Sequence, residues 1–244
     1  MKTTIRWGYQ TDVGMVRRAN QDSVMANGNL FVVADGMGGH QGGEVASGIT
    51  TNHFVDLGEV DSVEQLEQAV VDANERIRER GSKQSDLDGM GTTVVAIAVL
   101  PTEEPGGPLY FAAANVGDSR LYVFENEVLQ QVSVDHSLVE ELVRAGQITT
   151  HEAQRHPQRN VVTRALGADS DVEVDTWVLR SQVGQRYLLC SDGLVNEVSN
   201  DDVRAVLKNT PSPSDAAAEL VKQANGAGGR DNISVLIVDV VESG

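Results

Sequence analysis

The chain has 244 residues, enough to bury a substantial core without disulfides or a structural metal, and it reads as one domain spanning 1–244. Nineteen basic against thirty-six acidic residues give a formal charge of −17, which excludes the basic face a general nucleic-acid binder needs. No stretch approaches ~18 consecutive apolar residues, the first ten residues lack an apolar signal core, and the lone Cys190 sits in an apolar run. These features predict a cytoplasmic chain with no membrane partner and a buried, inert thiol.

Apolar, β-branched runs predict strands near 5–11 and 30–35, followed by a helix over 43–57. Ser62 with Gln65 forms a capping-box pattern, and Val63, Leu66, Val70, Ala73 and Ile77 continue it as a helical stripe. Strands are expected at 91–100 and 109–116, with the Pro/Gly segment Pro101 to Pro108 as the loop between them. Strands at 120–124 and 128–132 are separated by Glu125-Asn126-Glu127, a hairpin signal. Ser137 with Glu140 and Thr149 with Glu152 open two short helices within 138–155. Strands at 172–180 and 186–191 follow. Ser199 with Asp202 opens another helix, Ser212 with Pro213 opens the last one through about Asn225, and 232–241 is the final strand. Strands in hairpin-linked groups, with helices in pairs between them, favour an α+β layered fold on antiparallel sheets over a doubly wound parallel one.

The informative pattern is where certain aspartates fall. The runs Leu30–Ala34 and Arg186–Ser191 lead straight into Asp35-Gly36 and Asp192-Gly193. The run Phe111–Val116 is followed by Gly117-Asp118-Ser119, and Asp231-Asn232 precedes the final strand. Buried strands that end in carboxylates can aim them at one point, where they repel unless protonated or neutralised by a cation. Oxygen-only donors suit Mg²⁺ or Mn²⁺ rather than zinc. Gly36, beside Asp35, would let a backbone carbonyl join them. Asp-Gly is also an ordinary turn dipeptide, and Asp88-Gly89 reads as one. The pattern alone leaves both readings open.

Other chemistries lack their signatures. There is no phosphate-binding Gly-x-x-x-x-Gly-Lys loop and no Gly-x-Ser-x-Gly elbow. The run Gly36 to Gln41 misses the dinucleotide fingerprint at its last position. In His151-Glu-Ala-Gln-Arg-His156 the second histidine lies one position too far for a zinc helix.

Taken in order, the motifs resemble those of the protein phosphatase 2C family, the metal-dependent PPM phosphatases, in its compact bacterial form. They run from Thr11–Asp22 through Val33–His40, Gly89–Thr93, Asn115–Arg120, Asp135–Ser137, Thr163–Gly167 and Ser191–Gly193 to Gly229–Asn232, almost end to end. The resemblance implies a central β-sandwich flanked by helix pairs. It implies hydrolysis of phosphoserine and phosphothreonine on proteins at a binuclear Mg²⁺ or Mn²⁺ centre, with a possible third ion. Implied partners are phosphorylated proteins and an opposing bacterial Ser/Thr kinase, in signalling, with the enzyme acting as a monomer.

By the same resemblance Asp35 bridges two metals with help from the Gly36 carbonyl, and Asp192 and Asp231 complete one of them. Asp22 holds metal-bound water, Asp118 with Asp192 matches a third site, Arg17 grips phosphate and Asn232 orients its neighbour. The chemistry is coherent. A phosphate monoester dianion repels hydroxide, and two close metals can lower the pKa of a bridging water while screening the ester. An arginine can grip two phosphate oxygens in a fork that lysine cannot copy. One departure is Met37, where some family members carry a histidine proposed as general acid. Methionine has no proton to give, which leaves metal-bound water, and His40 stands nearby as a structural or functional group. The segment 137–160 corresponds to a flap and carries Arg144, Arg155, His156 and Arg159, available to a phosphorylated partner. Two other classes stay open: a hydrolase of nucleotide or small phosphates, and a non-catalytic phosphoprotein-binding module. Intact Arg17, Asp35, Asp192 and Asp231 weigh against the second.

Overall fold

The computed structural model describes residues 3–38, 41–101 and 108–242. In chain order the elements are β1 (Thr3–Asp12), β2 (Asp22–Asn27), β3 (Leu30–Met37), α1 (Gly42–Leu57) and α2 (Val63–Lys83), then a single 3-10 turn at Ser85–Leu87. Next come β4 (Gly91–Thr92), β5 (Val94–Val99), β6 (Leu109–Val116), β7 (Arg120–Glu125), β8 (Val128–Gln131), α3 (Leu138–Arg144) and α4 (Thr150–Ala153). The chain closes with β9 (Asp175–Ser181), β10 (Arg186–Cys190), α5 (Asp192–Val195), α6 (Asn200–Asn209), α7 (Pro213–Ala227) and β11 (Ile233–Glu242).

Two antiparallel sheets stack face to face. One runs β1-β11-β10-β7-β8 and the other β2-β3-β5-β6-β9, with β4 paired to β3. The apolar runs are continuous because both faces of the central strands are covered. Phe31, Val33, Val95, Ile97, Phe111, Leu189, Leu236 and Val238 meet between the sheets. Their neighbours Leu30, Val32, Ala96, Ala112 and Ala114 turn the other way, against α1 and α2. On the far side Leu188, Cys190, Val235 and Ile237 pack against α6 and α7. Period-two alternation therefore divides each strand between two cores, which gives the helix–sheet–sheet–helix layering expected from the sequence.

The local signals resolve well. Asn126 and Glu127 both take positive φ, 48° and 63°, as a two-residue hairpin turn between paired Glu125 and Val128 requires. Thr149 and Glu152 form a complete capping box, and Ser212 caps α7 with Pro213 at its start. At α2 the box is incomplete: Ser62 accepts the Gln65 N–H, but the Gln65 side chain accepts from Asp61 instead of closing on Ser62. Cys190 is fully buried, and burial pushes its thiol up to about 12.

Three expectations shift. β2 was not foreseen, since Asp22–Asn27 is a short, half-exposed edge strand without a continuous apolar run. The strand expected over 91–100 is split at Thr93, whose hydroxyl accepts the Asp35 N–H at 3.1 Å. The strand expected at 172–180 begins at Asp175, because Val172 and Val174 pack against the α1/α2 core from outside the sheet. Pro101 and Pro108 flank residues 102–107, so that expected loop lies largely outside the described residues.

Candidate active site

The strand order places the aspartates. Asp22 opens β2 and pairs directly with Asp35 near the end of β3. β10 and β11 are neighbours in the other sheet, so Asp192, just past β10, and Asp231, just before β11, come out at the same end. Asp118 sits on the turn where the chain crosses from β6 in one sheet to β7 in the other. Asp35 is the hub, perturbed by Asp22, Asp192, Asp118 and Asp231.

Two close approaches fix this geometry. A Cβ on Gly36 would strike the Gly43 and Gln21 carbonyls, so glycine lets the first turn of α1 pack against the end of β3. A Cβ on Gly193 would strike the Asn232 carbonyl, so this second glycine lets α5 lie against the start of β11. By contrast, Asp88-Gly89 is a turn, with Gly89 at φ 73°.

The electrostatics are those of a cluster that wants positive charge. Burial pushes Asp22 up to about 7, against a hydrogen bond from Ser191 that favours its charged form. Burial, then Asp22, Asp192 and the others, hold Asp35 well above the usual carboxylate range. Burial and then Asp192 push Asp118 up to about 7, and burial followed by Asp231 raises Asp192. Asp22 Oδ1 is buried and lacks a hydrogen-bond partner. An orphaned carboxylate oxygen among all-oxygen donors with raised pKa values fits a hard divalent cation. Among the described residues no three His, Cys, Asp or Glu side chains already close around one point. The reason is visible: Asp231 Oδ2 turns to Arg17 at 2.6 Å, Asp192 Oδ2 accepts from Asn196 at 3.0 Å, and Asp22 Oδ2 accepts from Ser191 at 2.7 Å.

Arg17 is half-exposed and rides on a loop that is held firmly. Asn232 Nδ2 donates to the Val13 and Ala19 carbonyls, both at 2.9 Å, and its Oδ1 accepts the Gln21 N–H at 2.8 Å. Its backbone N–H holds Asp231 Oδ1 at 2.8 Å. Asn232 thus does more than orient its neighbour: it fastens the loop carrying Arg17 to the strand carrying Asp231. Beside Asp118 and Asp192 a cleft of about 620 Å³ opens toward the flap helices α3 and α4, with Arg159 on its wall. Arg144, Arg155 and His156 do not line it. His40 lies outside the described residues.

The family model described as protein phosphatase 2C matches residues 17–224. The chain belongs to the protein phosphatase 2C family. The serine/threonine phosphatase stp of Listeria monocytogenes is 39% identical over 248 residues, covering 95% of this chain and 94% of its own. The serine/threonine protein phosphatase PstP of Mycobacterium tuberculosis is 37% identical over 242 residues, covering 98% of this chain and 45% of its own. A crystal structure of the M. tuberculosis phosphatase PstP/Ppp superposes with a TM-score of 0.90 at 36% identity, covering 98% of this chain and 99% of that one. The catalytic domain of PstP in complex with two manganese ions gives 0.88 at 35% identity, covering 98% and 100%. The α+β sandwich and the phosphatase class expected from the sequence both hold for this family member.

Several neighbours of the cluster stand inside or beside the sequence motifs, but their contacts were not readable there. Ser191 and Asn196 supply hydrogen bonds to Asp22 and Asp192, and Thr93 joins the Asp35 backbone to Ser119, hydroxyl to hydroxyl at 2.7 Å. Only Asn196 has a local cue, lying one helical turn after Asp192.

Proposed function

We propose that this member of the protein phosphatase 2C family hydrolyses phosphoserine and phosphothreonine on proteins, with Mg²⁺ or Mn²⁺ held by the carboxylate cluster and 1–244 acting as one catalytic unit. The observation that carries the reading is the convergence of five aspartates from both sheets, Asp22, Asp35, Asp118 and Asp192 with raised pKa values and Asp231 beside them, next to a half-exposed arginine.

Asp35 and the Gly36 carbonyl, with Asp192 and Asp231, would hold the two core ions. Asp22 would stand behind them, and Asp118 with Asp192 would hold a third. Bound Mg²⁺ or Mn²⁺ supplies Lewis acidity and hydroxide near neutral pH. The chain's own contribution is positional. Arg17, now against Asp231, is placed to turn its guanidinium to a phosphate, and Asn232 keeps that loop in register. The cleft beside the flap is large enough for the residues flanking a phosphorylated side chain, with Arg159 as its exposed cation. Met37 gives no proton to a departing alkoxide, so proton delivery falls to the Asp118 side of the cluster.

The same reading makes the protein a monomeric, cytoplasmic signalling enzyme opposing a bacterial Ser/Thr kinase. Among the described residues no helix is long and apolar enough to cross a membrane. The test is phosphate release from a phosphothreonine peptide and from nucleotide monophosphates, with EDTA and with Mn²⁺ restored. Metal-dependent release that favours the peptide supports the reading. Preference for the nucleotide would make this a small-phosphate hydrolase, and no release from either would make it a binding module.

A further inference from the structure

Asp118 belongs to a turn that has little support of its own. Gly117 takes φ 104°, and a Cβ there would strike Thr93, so the turn needs glycine and has no side chain at that position to anchor it. Its backbone is instead held from outside. His136 Nδ1 lies 3.0 Å from the Gly117 nitrogen, while the His136 N–H donates to the Gly117 carbonyl, also at 3.0 Å. Asn115 Nδ2 donates to the same carbonyl at 3.1 Å.

A backbone N–H can only donate, so His136 Nδ1 must accept and carries no proton. The proton of the neutral ring is then on Nε2, which faces Asp175 Oδ2 at 3.2 Å. Arg164 Nη1 also lies 3.0 Å from Nε2, but its two hydrogens go to Asp175 Oδ1 at 2.8 Å and the Glu173 carbonyl at 3.2 Å. Ring and guanidinium thus converge on one carboxylate as two donors and do not bond each other. Burial and then Arg164 hold the imidazole below its ordinary value, which keeps it neutral. His136 itself is buried and outside the carboxylate cluster.

We propose that His136, fixed as the Nε2–H tautomer by Asp175, is the positioning residue that sets the Gly117–Ser119 turn and so aims Asp118. The relay runs from Arg164 through Asp175 and His136 to Gly117. The catalytic part of the idea rests on the reading of Asp118 given above; the tautomer and the hold on the turn do not.

The experiment uses the full chain, loaded with diamagnetic Mg²⁺, as wild type and as His136→Leu, His136→Gln, Asp175→Asn, Asp118→Asn and the His136→Leu/Asp118→Asn double variant. Imidazole ¹⁵N shifts of the wild type should show His136 Nδ1 unprotonated at neutral pH; a protonated Nδ1 overturns the proposal whatever Asp118 does. Amide exchange at Gly117 should quicken roughly tenfold in His136→Leu relative to Ala113 in the same strand group, from loss of one buried acceptor. Unchanged exchange at Gly117 also overturns it. His136→Leu and Asp175→Asn should lower kcat on a phosphothreonine peptide about tenfold while sparing p-nitrophenyl phosphate. Gln, whose side-chain oxygen can accept the Gly117 N–H, should recover most of the loss. The double variant should be no worse than Asp118→Asn alone, because both changes act through one group. Equal losses on both substrates, or additive losses in the double variant, would make His136 a general stability residue. If Asp118→Asn has no effect while the tautomer and exchange results hold, the role given to Asp118 falls and the hold on the turn stands.

Discussion

Ser191 donates its hydroxyl hydrogen to Asp22 Oδ2 at 2.7 Å, and the bond joins the two sheets, since Ser191 ends the β10 run and Asp22 begins β2. Ser191 Oγ also accepts the Ser234 N–H at 2.9 Å. One buried hydroxyl therefore ties the carboxylate behind the cluster to the strands that carry Asp192 and Asp231. Ser191→Ala should cost about 1–3 kcal/mol, the usual range for leaving buried polar groups unpartnered. Calorimetry should show a Tm several degrees lower, and Mn²⁺ half-saturation should rise. An unchanged Tm would mean the bond contributes nothing.

The raised carboxylates make stability depend on pH in a definite direction. Between about pH 4 and 7 the folded, EDTA-treated chain keeps protons on Asp22 and Asp118 that the unfolded chain has released. The folded state binds more protons there, so this contribution to stability falls as pH rises through that window and levels off above about 7. Asp22→Asn removes one such group. Its Tm should gain on the wild type by several degrees between pH 5 and pH 8 in EDTA, and saturating Mn²⁺ should erase the gain. A constant Tm difference across that range would contradict the raised pKa.

Arg17 is proposed to grip phosphate, whereas its neighbour Arg18 is exposed. Charge-assisted hydrogen bonds are worth about 1.5–3 kcal/mol when sheltered, and Arg17 is half-exposed, so the lower end applies. Arg17→Ala should raise KM for a phosphothreonine peptide roughly tenfold with little change in kcat. Arg17→Lys should recover part of this and Arg18→Ala should do almost nothing. Sensitivity at Arg18 in place of Arg17 would put the phosphate contact on Arg18.

Asp118 makes a differential claim. A serine or threonine alkoxide is a poor leaving group that needs a proton, whereas p-nitrophenolate needs it far less. Asp118→Asn should therefore lose much more activity on the phosphothreonine peptide than on p-nitrophenyl phosphate, with two-ion Mn²⁺ binding retained in calorimetry. Equal losses would point to damage at the core ions through Asp192, and no loss would leave Asp118 a polar turn residue.

The sandwich was legible because its central strands are buried on both faces. Leu30–Ala34 and Arg186–Cys190 carry unbroken apolar runs, and each run stops at a carboxylate. β2 was not legible, since its outer residues stay half-exposed and only Met25 is fully committed to the core. The convergence of Asp35, Asp118 and Asp192 could be anticipated from strand ends. The contacts of Ser191, Thr93 and His136 could not, because each is made between segments far apart in the chain: Ser191 meets Asp22 across the two sheets, 169 positions away, Thr93 meets Asp35 within one sheet, and His136 holds the Gly117 backbone from the loop after β8. No local pattern records such a pairing; it exists only once β10, β11, β2 and β3 have taken their places. Asn232 was read as an orienting neighbour of Asp231, and its larger task of fastening the loop from Val13 to Gln21 emerges only in three dimensions.

Asp35 is the residue on which the other four carboxylates act, so it carries the central claim. The most direct measurement is the rate of phosphate release from a phosphothreonine peptide by Asp35→Asn at saturating Mn²⁺, beside wild type, with Tm recorded for both. The isosteric amide keeps the shape and removes the charge proposed to hold the ions. Turnover should fall by roughly three orders of magnitude or more while Tm in EDTA stays equal to or above that of wild type. Near wild-type turnover in a folded Asp35→Asn protein would contradict the account.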